Sequence, residues 1–292
     1  MTLKIITLYA IISFFWGITW LFLKINVTQM PILWGLSLRF IIAGIVFWFI
    51  YFLKNDRVKF IPQIQSIYIV YALFNYTLCY YLTYWGAQYI YSNLGSILYS
   101  LSPITIAIMA HFFVPNDKLN QKKIISMIIG FIGTILLLYN GNSFGGEKVF
   151  LGIFSILLAI VIGSWPTIYI KKQGIKVDTV HLNAVGLSIA GLIILLMAII
   201  FDKSSFYQIN SSHIPSLLFL AIPGTVVTWG IYIWLLNHLP ASQLSYVAFF
   251  PPIIAIISGW IILDETLSLI SIFGAALIIL GGFLINYDLK NT

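Results

Sequence analysis

The chain has 292 residues, of which 61% are hydrophobic and only 8% are charged, whereas soluble domains are about a quarter charged. That balance leaves too little polar surface to face water and points to an integral membrane protein. The net charge of +7 comes mostly from bases set between apolar runs, so it reads as an orientation signal and no nucleic-acid partner is expected.

A helix needs about 20 apolar residues to cross the hydrocarbon core. Runs of that kind predict ten spans, at 4–24, 32–53, 66–87, 93–114, 122–140, 150–170, 181–201, 214–236, 243–263 and 269–287. The first run follows Lys4 and reaches about Leu23. It is too long for the apolar core of a signal peptide and lacks a small-residue cleavage site, so it reads as an uncleaved membrane helix. Strands are excluded, because an open sheet edge finds no hydrogen-bond partner in lipid and the runs do not alternate. With the N-terminus cytoplasmic, eleven bases fall on the inner side and three, Lys24, Lys148 and Lys203, on the outer side. The bias predicts both termini inside a multi-pass cell membrane protein. With no organelle signal, the expected location is the bacterial inner membrane.

Sliding the chain by 148 positions pairs Pro103 with Pro251, Asp117 with Glu265, Leu119 with Leu267 and Gly133 with Gly281. The same offset pairs Lys24 with Lys172, Thr77 with Thr225 and Tyr84 with Tyr232. Each copy carries five spans, an odd number, so the second enters the membrane inverted. The predicted fold is therefore all-α: ten transmembrane helices in two inverted five-helix repeats, 1–141 and 149–288, forming one membrane domain. Inverted repeats that rock about a midplane site are a transporter architecture.

Polar side chains gather on particular faces. Asn75, Cys79 and Thr83 recur along one stripe of the third span, with Tyr76, Tyr80 and Tyr84 beside them. Thr225, Thr228, Trp229 and Tyr232 share a face of the eighth span. The fourth span adds Asn93, Ser96, Ser100 and Pro103, while Trp16, Trp20 and Trp165 come from the first and sixth. These faces are expected to line a central cavity, since an apolar pocket with a few placed polar groups suits a small molecule. The alternative for any one residue is packing: hydroxyls bond their own helix, and Trp and Tyr gather at membrane interfaces.

Arg39 lies about seven residues into its span, on the order of 10 Å below the outer surface. It attracts a substrate carboxylate, holds backbone carbonyls or reaches the interface, whereas Lys24, at a helix end, reads as a snorkelling anchor. His111 reads as the histidine inside a span, a candidate for proton coupling. Cys79 is the single cysteine and His181, His213 and His238 are scattered, so neither a metal site nor a cofactor is expected. An intramembrane enzyme would need an activated nucleophile or acid–base pair at depth, and a channel would show charge rings or filter loops; neither pattern is found. The adjacent acids Asp264 and Glu265 read as punctuation closing the ninth span, with Thr266 or Ser268 capping the tenth. Asp117 is expected to do the same job between spans four and five.

The stretches "FFWGITWLFLK" at 14–24, "LRF" at 38–40 and "SLSPITIAI" at 100–108 followed by "NDKL", together with "FFPPIIAIISGWIILDETLSLISIFGAALIILGG" at 249–282, resemble the drug/metabolite transporter superfamily, and the last is similar to the closing signature of its EamA-type members. The likeness spans both copies, although Asn116-Asp117 stands where the family usually has Gly-Glu. The resemblance implies a ten-helix secondary carrier of a small metabolite, an amino acid or related compound, often an exporter. Such a carrier would work in the lipid bilayer as a monomer or homodimer, on a small-molecule substrate.

Overall fold

A computed structural model describes residues 3–54, 61–115, 117–138, 148–202 and 210–264, and in the last segment 269, 270, 272–274, 276, 277, 280 and 281. Among these residues all regular structure is helical and no strand occurs. In chain order the helices are α1 (Leu3–Gln29), α2 (Ile32–Lys54), α3 (Pro62–Val70), α4 (Tyr80–Ala87), α5 (Ser92–Tyr99), α6 (Ser102–Phe113) and α7 (Gln121–Leu138). They continue as α8 (Val149–Gln173), α9 (Thr179–Phe201), α10 (Ile214–Ala221), α11 (Thr228–Leu236), α12 (Ala241–Ser245) and α13 (Pro251–Leu263). Among the described residues seven helical runs are long and apolar enough to cross a membrane: α1, α2, Ser92–Phe113, α8, α9, Ser211–Leu236 and Ala241–Leu263.

The side-chain distribution is that of a protein solvated by lipid. Large apolar groups such as Phe49, Phe154, Phe201 and Trp260 are exposed, while Arg39, Asn75, Asn183 and Thr225 are buried. An exterior of that kind, on helices of this length, needs a bilayer.

Two irregularities recur at the repeat offset. Between α3 and α4 the backbone passes through a π-helical segment, Tyr71–Cys79, and between α10 and α11 through a second, Ile222–Val227. Pro223 accounts for the second, because it has no N–H to continue an α-helical ladder; the first has no proline, and no single residue explains it. In each segment a threonine bridges the widened turn, Thr77 Oγ1 donating to the Ala72 carbonyl and Thr225 Oγ1 to the Leu220 carbonyl, both at 2.8 Å and both five residues back. Likewise α5 and α6 are separated by a break at Ser100–Leu101, and α12 and α13 by a 3-10 turn over Tyr246–Phe249. Pro103 and Pro251 start the helices that follow.

Helix partners are reciprocal under the same offset. α1 packs on α13 as α8 packs on α6, and α1 meets α5 as α8 meets α12. α2 lies along α9, its own counterpart. Gly44 faces Ser188 and Gly191 faces Ile41 there, with room for little more than hydrogen, which is how small residues bring membrane helices close.

The acid punctuation differs in detail from expectation. Asp264 does end α13, adopting a left-handed backbone at φ 53°, while Glu265, Thr266 and Ser268 lie outside the described residues. Asp117 does not cap α7; Asn120 does, accepting from the Lys123 N–H at 2.8 Å. Asp117 is instead buried and holds the start of α12: it accepts from the Ser242 N–H at 3.1 Å and from the Ser242 hydroxyl, and Lys123 Nζ lies 2.9 Å away. Desolvation works against ionisation there, but the Ser242 and Lys123 bonds outweigh it and hold the carboxyl below its ordinary value. His111 is also not the sole histidine within a helix: His181 is buried in α9, its Nδ1 3.0 Å from the Tyr68 hydroxyl.

Candidate functional site

A cavity of about 150 Å³ opens where the two copies meet. Its wall takes Trp16, Thr19 and Trp20 from α1 and Arg39 from α2. The first π segment and α4 supply Asn75, Cys79, Tyr80, Thr83 and Tyr84, and α5 supplies Ser96 and Tyr99. Across from these stand Gly163, Ser164 and Thr167 of α8, with Trp229 and Tyr232 of α11.

Arg39 organises one end. Its side chain is 1% exposed, and all its partners are neutral. Nε donates to Thr225 Oγ1 at 2.8 Å, one terminal nitrogen donates to the Gly224 carbonyl at 3.0 Å, and the other donates to the Tyr84 hydroxyl at 3.1 Å. The guanidinium also stands 5.0 Å from the centre of the Tyr80 ring. Widening the turn at Ile222–Val227 changes which carbonyls the ladder can satisfy. Arg39 and the Thr228 hydroxyl, 2.9 Å away, both donate to Gly224. An unpaired buried charge is costly; here hydrogen bonds delocalise it without neutralising it. Among the described residues no carboxylate lines the cavity.

Aromatic rings form the rest of the wall. Trp16 meets Trp229 at 5.9 Å and Tyr232 at 5.5 Å between ring centres, and Trp20 packs edge-on to Tyr99 at 5.3 Å. The indole of Trp229 donates to the Tyr80 hydroxyl at 2.5 Å. Thr83 spends its proton on the Cys79 carbonyl, so the 2.6 Å contact between Thr83 and Tyr99 has Tyr99 donating. Two buried polar atoms of the wall, Asn75 Nδ2 and Ser96 Oγ, have no partner among the described residues.

Of the residues expected at a cavity, Trp16, Trp20, Arg39, Asn75, Tyr80, Tyr84, Ser96, Trp229 and Tyr232 are brought together on its wall. Tyr76, Thr225 and Thr228 sit one layer back: Tyr76 donates to Asn183 Oδ1 at 2.6 Å and packs against the Trp229 ring, while the threonines bond the bulged backbone. Ser100 turns to the Ile97 carbonyl, and Trp165 packs against Phe113 and Tyr169. His111 lies away from the cavity, its Nδ1 accepting from the Leu119 N–H at 3.3 Å. Tyr99, Thr19, Ser164 and Thr167 are on the wall without having been singled out. Thr19 and Thr167 are mates under the 148 offset, so the repeat carried a usable signal for them.

The model of the EamA-like transporter family matches this chain twice, over residues 3–139 and 150–287. The chain belongs to the EamA-like transporter family. Its relatives include the uncharacterized transporters YvbV (27% identical, over 97% of this chain and 92% of its own length) and YoaV (25%, over 94% and 93%), both of Bacillus subtilis (strain 168). Protein PagO of Salmonella typhimurium is 24% identical over 85% of this chain and 82% of its own. A solved crystal structure at 16% identity covers 100% of this chain and 99% of its own with a TM-score of 0.80, a likeness of fold. Each EamA match holds one π segment and one helix started by a proline of the Pro103–Pro251 pair, so the recurring irregularities coincide with the recurring family unit.

Proposed function

We propose that this EamA-family protein is a secondary transporter that moves a small metabolite, an amino acid or related compound, out of the cell by alternating access. Ten crossing helices would form two inverted repeats with both termini cytoplasmic in a bacterial inner membrane, and the substrate would bind in the cavity between the repeats. The observation that carries this reading is the shared wall: Arg39 of the first copy is pinned to Thr225 and Gly224 of the second, and aromatic groups of both copies close around one small space. The reciprocal helix partners and the double family match support it further.

In such a mechanism one repeat rocks against the other about the cavity. Bonds that bridge the copies then act as gates. Two such bonds lie together, Asp117 on Ser242 and the Tyr9 hydroxyl on the Gln243 carbonyl at 2.8 Å, and both join the first copy to α12. Opening the cavity toward that side requires parting them. The candidate roles of Arg39 and His111 divide accordingly: Arg39 is at the site, and His111, near the end of α6, bonds the loop beside this gate.

Counterflow in proteoliposomes tests the proposal. Vesicles preloaded with an amino-acid mixture should take up labelled substrate transiently and saturably, and Trp229→Ala should raise the half-saturating concentration. Labelled uptake that follows its gradient without saturation or counterflow, from protein that is folded, would sink the carrier reading.

A further inference from the structure

The hydrogen-bond accounting of the cavity is unbalanced. Of the five guanidinium N–H groups of Arg39, three are taken by Thr225, Gly224 and Tyr84, which leaves two. Tyr84 accepts from Arg39, and Tyr80 accepts from the Trp229 indole; neither phenol has an acceptor for its own proton among the described residues. Asn75 Nδ2, on a residue 4% exposed, is a donor with no acceptor among the described residues. The cavity wall therefore carries spare donors, and those of Arg39, Tyr84 and Tyr80 lie at a buried positive charge. The hydroxyls of Thr19 and Ser164 spend their protons on the Phe15 and Ile160 carbonyls, each at 2.7 Å, and so present neutral oxygens.

We infer that the cavity takes a small carboxylate-bearing compound and excludes organic cations, with the carboxylate at Arg39, Tyr84, Tyr80 and Asn75 and the body between Trp16, Trp229 and Tyr232. This rests on the transporter reading above and names the substrate class of that site. A carboxylate is acceptor-only and bonds to several donors at once, so it would complete every unmatched donor named here. A cation would complete none of them. The aromatic walls attract cations at short range, yet the Tyr80 ring already has the Arg39 guanidinium beside it, and no carboxylate lines the cavity among the described residues. A carboxylate also offsets the buried charge of Arg39, which no group among the described residues does.

Cys79 is the only cysteine of the chain and lines the cavity, so it reports the local potential directly. The full-length protein, purified in lipid nanodiscs, is treated with two methanethiosulfonates of similar size, the anionic sulfonatoethyl and the cationic trimethylammonioethyl reagents, with Cys79→Ala as the blank. Relative to free cysteine, the anionic reagent should be favoured several-fold, the direction Coulomb's law gives for opposite charges near one cation. Arg39→Gln should bring that ratio close to one. Tyr84→Phe, which keeps the ring and Arg39, should leave the ratio high but weaken protection of Cys79 by phenylacetate several-fold. In the unaltered protein phenylacetate should protect and phenethylamine should not. Labelling with no anion preference, or protection by phenethylamine alone, overturns the carboxylate assignment and leaves the carrier reading standing. Failure of both reagents to reach Cys79 from either side overturns the use of this cavity and with it both readings.

Discussion

Replacing Asp117 tests whether the join between its loop and α12 is ionic and how much it contributes. The carboxylate is 4% exposed and has three partners, the Ser242 N–H and hydroxyl and the Lys123 ammonium. Removing one member of a buried ion pair costs about 3–5 kcal/mol, but Lys123 is 20% exposed and can rehydrate. The loss is then set by the two Ser242 bonds, each a bond to a charged group worth about 1.5–3 kcal/mol, so Asp117→Ala should destabilise by roughly 3–6 kcal/mol. Asp117→Asn should cost less, because an amide oxygen still accepts from Ser242. The pH dependence has a definite sign. The folded carboxyl sits below its ordinary value, so its contribution is complete above the unfolded value, near pH 4, and is lost as pH falls through the depressed folded value. Thermal unfolding followed by tryptophan fluorescence at pH 7 and over an acid series measures both effects. The gap between the unaltered protein and Asp117→Asn should be constant from pH 7 to pH 5 and shrink in stronger acid. A gap absent at pH 7, or widening as acid is added, refutes the ionic join.

Two further outcomes follow from the packing. A Cβ at Gly95 runs into the Trp20 ring, so Gly95→Ala should destabilise by about 1–3 kcal/mol, as overpacking does, and should change the transport half-saturation constant because Trp20 lines the cavity; an unaltered melting temperature argues against the α1–α5 contact. The mates Thr77 and Thr225 each bond a carbonyl five residues back, but only Thr225 also supports Arg39. Thr225→Val should therefore lose about 1–3 kcal/mol and Thr77→Val clearly less in parallel chemical denaturation, with equal losses counting against the Arg39 contact.

The sequence by itself determined the solvent and the periodicity. A chain with 61% hydrophobic residues has no choice but lipid, and an offset that superposes Pro103 on Pro251 already located the starts of α6 and α13. It also put Tyr80, Tyr84, Trp229 and Tyr232 on faces that converge, because helical spacing alone decides which side chains share a stripe. Tertiary structure decided which of those stripes face the cavity. Tyr76 and Thr228 have the same residue types and the same spacing as their neighbours on the wall, yet the π segments turn the helices locally and leave them one layer behind. No local sequence rule marks the first of those segments. Asp117 lies in a short loop next to a lysine, and its role depends on Ser242, more than a hundred residues away. Arg39 shows the division most clearly: its place inside a span was readable from the sequence, but its partners Thr225, Gly224 and Tyr84 come from other helices. The character of a buried charge is set by the groups that surround it, and only folding brings those groups together.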